Sequence, residues 1–137
     1  MSVYVDTSAW YAAADAADRS NARAKQVLGL GASLVTSDHV LLETWLLLRH
    51  RIGRNASERF WEGLRAGAAH VECVTPADLE RAWTIGQQFE DQDFSLADRT
   101  SFALMQRLGI TRVASFDDDF AVFRYGRDRS RAFEVVR

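Results

Sequence analysis

Short runs of β-branched and apolar residues alternate along this chain with longer segments whose apolar positions recur at helical spacing. Five short runs predict β-strands, at residues 3–5, 33–36, 71–74, 112–115 and 133–136. Six longer segments predict helices, at residues 9–17, 21–28, 38–51, 57–65, 75–89 and 95–109. Because a helix that joins two strands lets both run in the same direction, this order predicts an α/β fold with three layers (α/β/α) and a mainly parallel central sheet.

The length and composition, 137 residues with 47% hydrophobic content, predict a single domain over residues 1–137. In open parallel sheets, ligands bind beyond the carboxyl ends of the strands, where the strand order reverses. Functional side chains are therefore expected directly after strands or near the start of the helix that follows. Four acidic residues are candidates, namely Asp6, Glu43, Asp98 and Asp117.

Asp6 and Asp117 each follow a predicted strand. Asp6 ends the strand at residues 3–5 and precedes Thr7, so it is suited either to capping the next helix or to binding a metal ion. Asp117 opens a run of three aspartates two residues after Ser115. A solvated acidic turn explains any one of the three, but adjacent like charges repel one another unless a cation lies near.

Glu43 and Asp98 lie in predicted helices. Glu43 is the only charged residue of the apolar run at residues 40–48, a pattern typical of a buried helix. Because a buried carboxylate needs a partner, Glu43 is predicted to serve a metal or catalysis or, alternatively, to form a buried salt bridge with an arginine. Asp98 follows Ser95 at the spacing of a capping box, and the helix dipole that favours it there also suits a metal ligand.

These four carboxylates come from distant parts of the sequence, yet all are expected at one edge of the sheet. Converging carboxylates cannot all stay ionised without a counter-charge. Their hard oxygen atoms select Mg²⁺ or Mn²⁺ rather than Zn²⁺. Such an ion can activate a water molecule and stabilise charge on a phosphodiester, and the sequence leaves open whether one ion or two would be bound.

The order of the acidic motifs resembles that of the PIN-domain nucleases, and most of all the VapC-type toxins of bacterial toxin–antitoxin pairs. The motifs are Val-Asp6-Thr-Ser, Leu-Leu-Glu43-Thr, Phe-Ser-Leu-Ala-Asp98 and Ala-Ser-Phe-Asp117-Asp-Asp-Phe. The resemblance spans residues 3–120 and implies an α/β/α sandwich. It also implies a Mg²⁺-dependent endoribonuclease, the toxic component of a type II pair.

The same resemblance implies a role for each acid. Asp6 and Asp98 would be the main metal ligands. Glu43 and Asp117 would complete the acidic pocket, binding the metal directly or through water. Asp119 is the alternative to Asp117, which is preferred because it lies closer to the end of the strand.

The resemblance implies partners as well. Family members usually form homodimers and are held inactive by a small VapB-type antitoxin that covers the acidic groove. The RNA substrate is expected to be read in exposed single-stranded loops. Ser8 and Ser115 would hydrogen-bond the carboxylates or the substrate phosphate. Seven arginines are either phosphate contacts or solvated surface residues: Arg49, Arg51, Arg54, Arg99, Arg124, Arg127 and Arg129.

The remaining composition narrows the possible classes. A formal net charge of −2 argues against a general nucleic-acid coat protein, which would be strongly basic. One cysteine, Cys73 in a predicted buried strand, and three scattered histidines offer neither a disulfide nor a zinc site. The absence of a signal-peptide pattern or a long apolar run predicts the cytoplasm. Trp45, Trp61 and Trp83 are expected in the core or a dimer interface rather than stacked on RNA.

Other α/β enzymes built around acids fit less well. A haloacid-dehalogenase-type site needs a second aspartate two positions after Asp6, where Ser8 stands. A receiver-like site needs a lysine after a late strand, and the only lysine is Lys25. Two alternatives on the same fold remain. One is a solitary RNA-processing nuclease without an antitoxin. The other is a non-catalytic protein-binding module, and the complete set of four acids argues against this second alternative.

Overall fold

The strands form one sheet between layers of helices. The structure, a computed structural model that describes all of residues 1–137, confirms the predicted α/β/α sandwich. The strands are β1 (Ser2–Val5), β2 (Ser33–Ser37), β3 (His70–Glu72), β4 (Arg112–Ala114) and β5 (Glu134–Val136). They are ordered β3-β2-β1-β4-β5, and every neighbouring pair is parallel.

Helices fill the connections between the strands. They are α1 (Thr7–Ala14), α2 (Asn21–Leu28), α3 (Asp38–Arg51), α4 (Arg54–Arg65), α5 (Pro76–Gln88), α6 (Leu96–Leu108) and α7 (Asp119–Val122), with a 3₁₀ turn at Arg127–Arg129. Helix α3 packs against α1, α4 and α6, while α5 packs against α6. None of these helices combines the length and the apolar character that a membrane crossing requires.

The strand order reverses beside β1, at the centre of the sheet. From β1 the chain moves outward through β2 to β3, and then returns to the other side of β1 with β4 and β5. Tyr4 and Val5 of β1 are fully buried, as expected for a central parallel strand covered on both faces. The backbone N–H of Asp6 donates to the carbonyl of Ala114 at 3.1 Å, so the carboxyl ends of β1 and β4 meet at the predicted functional edge.

A cluster of phenylalanines joins the start of α6 to the segment after β4. Phe102 of α6 stacks on Phe123 with ring centroids 4.1 Å apart. It also meets Phe120 of α7 edge-on at 4.9 Å and Phe94, just before α6, edge-on at 5.1 Å. None of these rings has more than marginal solvent exposure. Two segments that carry acidic residues are therefore held against each other by the core.

The first helix is shorter than predicted. It was expected over residues 9–17 but ends at Ala14. The side-chain amide of Asn21 donates to the carbonyls of Ala12 at 2.8 Å and Ala13 at 3.2 Å. These bonds satisfy carbonyls of the last helical turn and let the chain leave the helix early.

Two further boundaries and one short helix also differ notably from the prediction. Helix α4 begins at Arg54, three residues before the predicted start. Strand β3 ends at Glu72 because its partner Ser37 is the last residue of β2. Cys73 is consequently exposed, and the prediction of a buried strand residue there was wrong. Helix α7 was not predicted, since four residues are too few for a periodic signal.

Candidate active site

Three carboxylates from distant parts of the chain meet at the carboxyl edge of the sheet. Carboxylate oxygens of Asp6, Asp98 and Asp117 all lie within 4.8 Å of one another. Asp6 follows β1, Asp98 lies in the first turn of α6, and Asp117 comes three residues after the end of β4. The structure thus brings together three of the four predicted site acids at the predicted edge.

The Asp6 carboxylate is buried and is turned into the site. Asp6 occupies the N-cap position of α1, but its side chain makes no capping hydrogen bond, so the capping alternative was wrong. Its Oδ2 instead accepts hydrogen bonds from Ser8 Oγ at 2.9 Å and Ser115 Oγ at 3.0 Å. Burial, followed by the charge of Asp117, raises the pKa of Asp6 to about 7. The carboxyl group therefore resists ionisation unless a cation is present.

The two serines connect the loop after β4 to the start of α1. Ser8 Oγ lies 3.2 Å from Ser115 Oγ and accepts the backbone N–H of Phe116 at 2.8 Å. The backbone N–H of Asp117 points at Ser115 Oγ from 3.4 Å. The expectation that Ser8 and Ser115 hydrogen-bond the carboxylates is confirmed for Asp6.

Asp98 both caps its helix and belongs to the cluster. Its Oδ2 accepts the backbone N–H of Ser95 at 3.0 Å, and its own N–H donates to Ser95 Oγ at 3.1 Å, which completes the predicted capping box. Burial, a hydrogen bond with Asp119 and the charge of Asp6 together raise the pKa of Asp98 to about 8. The capping role and the site role therefore coexist in one side chain.

Glu43 has surroundings that differ from the prediction. It is only half-buried, and Leu42 and Leu46 beside it on α3 are 57% and 53% exposed. The inference that the apolar run is buried on every side was wrong, because one side of α3 faces outward. The alternative of a buried salt bridge was also wrong, since no arginine lies within ion-pair distance of Glu43. Glu43 lines the same cleft as Asp6 but lies outside the tight cluster.

Asp117 and Asp119 were alternatives for one position, and both lie close to the cluster. Asp117 joins Asp6 and Asp98 directly, while the Asp119 carboxyl group hydrogen-bonds that of Asp98. The backbone N–H of Asp119 also donates to Asp117 Oδ1 at 3.0 Å, which closes the turn. Burial above all, and the charges of neighbouring aspartates, raise the pKa of Asp119.

The cluster lies at the base of a cleft of about 410 Å³. Its wall includes Arg51 of α3 and Arg19 of the α1–α2 loop, and sequence reasoning missed Arg19. Other candidate arginines are engaged elsewhere: Arg54 pairs with Glu58, and Arg99 Nε donates to the carbonyl of Phe94. No tryptophan lines the cleft.

The donor set fits a divalent cation of the Mg²⁺ class. It consists of carboxylate oxygens, the hard ligands that such ions prefer. No arginine or lysine lies within ion-pair distance of Asp6, Asp98 or Asp117, so the protein itself does not neutralise them. Burial first, and then the neighbouring aspartates, raise the pKa of both Asp6 and Asp98, and a bound cation would favour their ionised forms.

Comparison with known proteins agrees with this geometry. The family model for the PIN domain matches residues 3–124. The chain is 39% identical over 121 residues to the 23S rRNA-specific endonuclease VapC20 of Mycobacterium tuberculosis, covering 87% of this chain and 92% of that protein. It is 29% identical to Ribonuclease VapC26 of the same species, covering 82% of this chain and 84% of the relative. The crystal structure of VapC20, described as a Sarcin-Ricin loop cleaving toxin, superposes with a TM-score of 0.82 at 36% identity over 87% of this chain and 92% of that one.

Proposed function

Because the chain belongs to the PIN-domain family and is a metal-dependent endoribonuclease of the VapC type, we propose that Asp6, Asp98, Glu43 and Asp117 form its active site. Asp6 and Asp98 would be the principal ligands of Mg²⁺, with Mn²⁺ as a substitute. Glu43 and Asp117 would complete the acidic pocket. The convergence of three carboxylates that the protein leaves without a cationic partner is the observation that carries the proposal.

Hydrogen bonds within the site hold the proposed metal-binding carboxylates in place. When bound, the ion lowers the pKa of a water molecule and stabilises charge on the phosphodiester. Ser8 and Ser115 occupy one oxygen of Asp6, which leaves the other oxygen for the cluster. Ser95 does the same for Asp98 through its backbone N–H. Both carboxylates are thereby oriented before any ligand arrives, as efficient catalysis requires.

The site assignment is tested by Asp6→Asn, which keeps the shape of the side chain and removes its charge. Cleavage of RNA by the purified protein should require Mg²⁺ or Mn²⁺, stop on chelation, and fall more than about 100-fold in the variant. Asp91→Asn, at an exposed aspartate away from the cleft, is the matched control and should cleave normally. Unchanged metal-dependent cleavage by Asp6→Asn would refute the assignment.

We propose that the substrate is RNA presented in a single-stranded loop, because VapC20 is a 23S rRNA-specific endonuclease and a Sarcin-Ricin loop cleaving toxin and because unpaired bases are the part of RNA that proteins read by sequence. Sequencing the 5′ ends of RNAs cut by purified protein would identify the site. Cuts confined to duplex segments would contradict this substrate class.

We further propose that the protein is the toxin of a type II pair, acts in the cytoplasm as one domain, and is inhibited by a VapB-type antitoxin. Expression of the protein alone should then arrest growth, and Asp98→Ala should abolish the arrest. A short antitoxin reading frame is expected immediately upstream or overlapping. Normal growth with soluble, intact protein would instead favour a solitary nuclease.

A homodimer is the proposed assembly. The exposed apolar side chains of Leu42 and Leu46 on α3 and of Trp83 on α5, which is 66% exposed, provide surface for such a contact. Light scattering after gel filtration should give twice the monomer mass. Leu46→Glu should shift the protein towards the monomer, and a monomeric wild-type protein would contradict the proposal.

A further inference from the structure

Arg51 is held at the rim of the cleft by a tyrosine. Its guanidinium carbon lies 5.2 Å from the centre of the Tyr11 ring, within the range of a cation–π contact. The Tyr11 hydroxyl donates to Asp15 Oδ2 at 2.8 Å, and Asp15 Oδ1 accepts the backbone N–H of Ala17 at 3.0 Å. The ring that supports the guanidinium is itself fixed by these bonds.

Arg19 approaches the same cleft from the loop between α1 and α2. This loop is tightened by its own hydrogen bonds: Asp18 Oδ1 accepts the backbone N–H of Ser20 at 2.8 Å, and the carbonyl of Asp18 accepts that of Asn21 at 3.0 Å. Arg19 lies between these anchored residues and has an exposed side chain. Its backbone position is therefore well defined although it belongs to a loop.

Neither arginine has an anionic partner within the protein. The guanidinium groups of Arg19 and Arg51 make no ion pair within 4.0 Å, although Glu43 and Asp18 line the same cleft. Arg107, by contrast, pairs with Asp78 at 3.0 Å. A planar guanidinium beside an acidic cleft offers two parallel N–H donors to an incoming phosphate.

The spacing along α3 places Arg51 further along the cleft than Glu43. Glu43, Leu47 and Arg51 follow one another at intervals of four residues, and all three line the cleft. The eight residues from Glu43 to Arg51 span about 12 Å along the helix axis. Arg51 therefore lies about two helical turns along the cleft wall from Glu43, and we assign its guanidinium to a phosphate next to the one at the carboxylates.

We infer that Arg51, supported by Tyr11, and Arg19 form a phosphate-binding subsite that holds the RNA backbone beside the bond to be cut. This inference rests on the proposed function. It assigns these arginines to binding the substrate rather than to the chemical step. Their charge also offsets the repulsion that an acidic cleft would otherwise exert on RNA.

Steady-state cleavage of a fluorescein-labelled RNA hairpin, with Mg²⁺ and at several NaCl concentrations, tests the inference. Arg51→Gln should raise KM about tenfold with kcat nearly unchanged, because the lost contact binds ground state and transition state alike. Arg51→Lys should recover part of the loss, and Arg19→Gln should raise KM in the same way. The dependence of log(1/KM) on log[NaCl] should become less steep by about 0.7 for each lost phosphate contact.

Arg49→Gln is the matched control, because Arg49 is an exposed arginine of α3 that does not line the cleft. Its KM and salt slope should equal those of the wild type. The inference is overturned if Arg51→Gln behaves like Arg49→Gln. That result would mean that the Arg51 guanidinium does not bind RNA and would favour an acidic protein partner instead. The inference is also overturned if Arg51→Gln lowers kcat alone. Failure of the wild type to cleave RNA with either metal would instead remove the proposed function.

Discussion

Two helices of this protein begin with the same capping motif and put it to different uses. At the start of α5, Asp78 Oδ2 accepts the N–H of Thr75 at 2.9 Å, and Thr75 Oγ1 accepts that of Asp78 at 3.1 Å. At the start of α6, Ser95 and Asp98 make the same two bonds at 3.0 and 3.1 Å. Both aspartates are buried. Local sequence and local geometry therefore do not distinguish them.

Their neighbours make the difference. Arg107 Nε and Nη2 donate to the two oxygens of Asp78, each at 3.0 Å, and these bonds together with the capping bonds outweigh burial and lower the pKa of Asp78. Asp98 faces Asp6 and Asp119 instead, and its pKa rises to about 8. One carboxylate is satisfied within the protein and the other is left to attract a cation. The capping box positions each aspartate at the start of its helix. Whether an arginine or another carboxylate lies opposite then decides whether the aspartate stabilises the fold or is available to bind a cation.

Replacing Asp98 by asparagine should have the largest effect on activity. Asp98→Asn keeps an oxygen that can accept the capping bond but removes a ligand charge, so kcat/KM for RNA cleavage should fall more than about 100-fold. The melting temperature in chelator should stay the same or rise, because repulsion within the cluster is relieved. A variant that melts well below the wild type while cleaving normally would reverse the comparison.

The corresponding change at α5 should destabilise the protein instead. Asp78→Asn loses charged hydrogen bonds to Arg107, so the free energy of unfolding in urea should fall by about 2 kcal/mol. Activity per folded molecule should not change. Arg107→Gln and the double variant complete a cycle, in which the two single effects should not add. Additive effects would mean that the pair is not coupled.

The pH dependence of stability should run in opposite directions at the two sites. In chelator, the folded protein holds protons on Asp6 and Asp98 up to about pH 7 and 8, whereas the unfolded chain releases them near pH 4. Their contribution to the free energy of unfolding therefore falls as pH rises from about 4 to 8. The lowered pKa of Asp78 adds stability above its unfolded value, which is lost as the pH drops below about 4.

Melting temperatures measured from pH 3 to 9 test both slopes. Asp98→Asn should reduce the decline above pH 4, and Asp78→Asn should reduce the loss in acid. Addition of Mg²⁺ should raise the wild-type melting temperature most at high pH, where the carboxylates bind it best. A metal-free stability that increases steadily from pH 4 to 8 would contradict the raised pKa values.

The smallest effects are expected at the capping hydroxyls. Thr75→Ala and Ser95→Ala should each lower the free energy of unfolding by about 1 kcal/mol. Only Ser95→Ala should also reduce kcat/KM, by a few-fold, because the lost bond from the Asp98 backbone N–H to Ser95 Oγ helps to fix the first turn of α6, which carries the Asp98 carboxylate. Equal activity losses in both variants would show that capping acts on catalysis through global stability alone.

Much of this arrangement can be read from the sequence. The strands, the parallel sheet and the edge where Asp6, Asp98 and Asp117 meet follow from the alternation of elements. The prediction that the run around Glu43 is buried on every side was wrong, because an apolar helical run does not reveal that Leu42 faces outward. Whether such a face is covered is a tertiary property.

Other features depend on contacts that leave no local pattern. Arg19 lies in a polar loop, and only the packing of α1 against α3 brings it to the cleft with Arg51. The pairing of Asp78 with Arg107 joins residues 29 positions apart. The capping-box spacing by itself therefore does not distinguish Asp98 from Asp78, and it was the order of the acidic motifs along the chain that predicted Asp98 as the site residue.

The packed rings of Phe102, Phe120 and Phe123 have a mechanical consequence for the carboxylate cluster. They prevent the first turn of α6 and the turn after β4 from moving apart, so the carboxylates cannot relieve their repulsion by spreading. Because a bound cation relieves this repulsion, the packing of the rings strengthens the binding of the cation. A substitution that created a cavity among these rings would therefore weaken metal binding although every metal-binding carboxylate was kept.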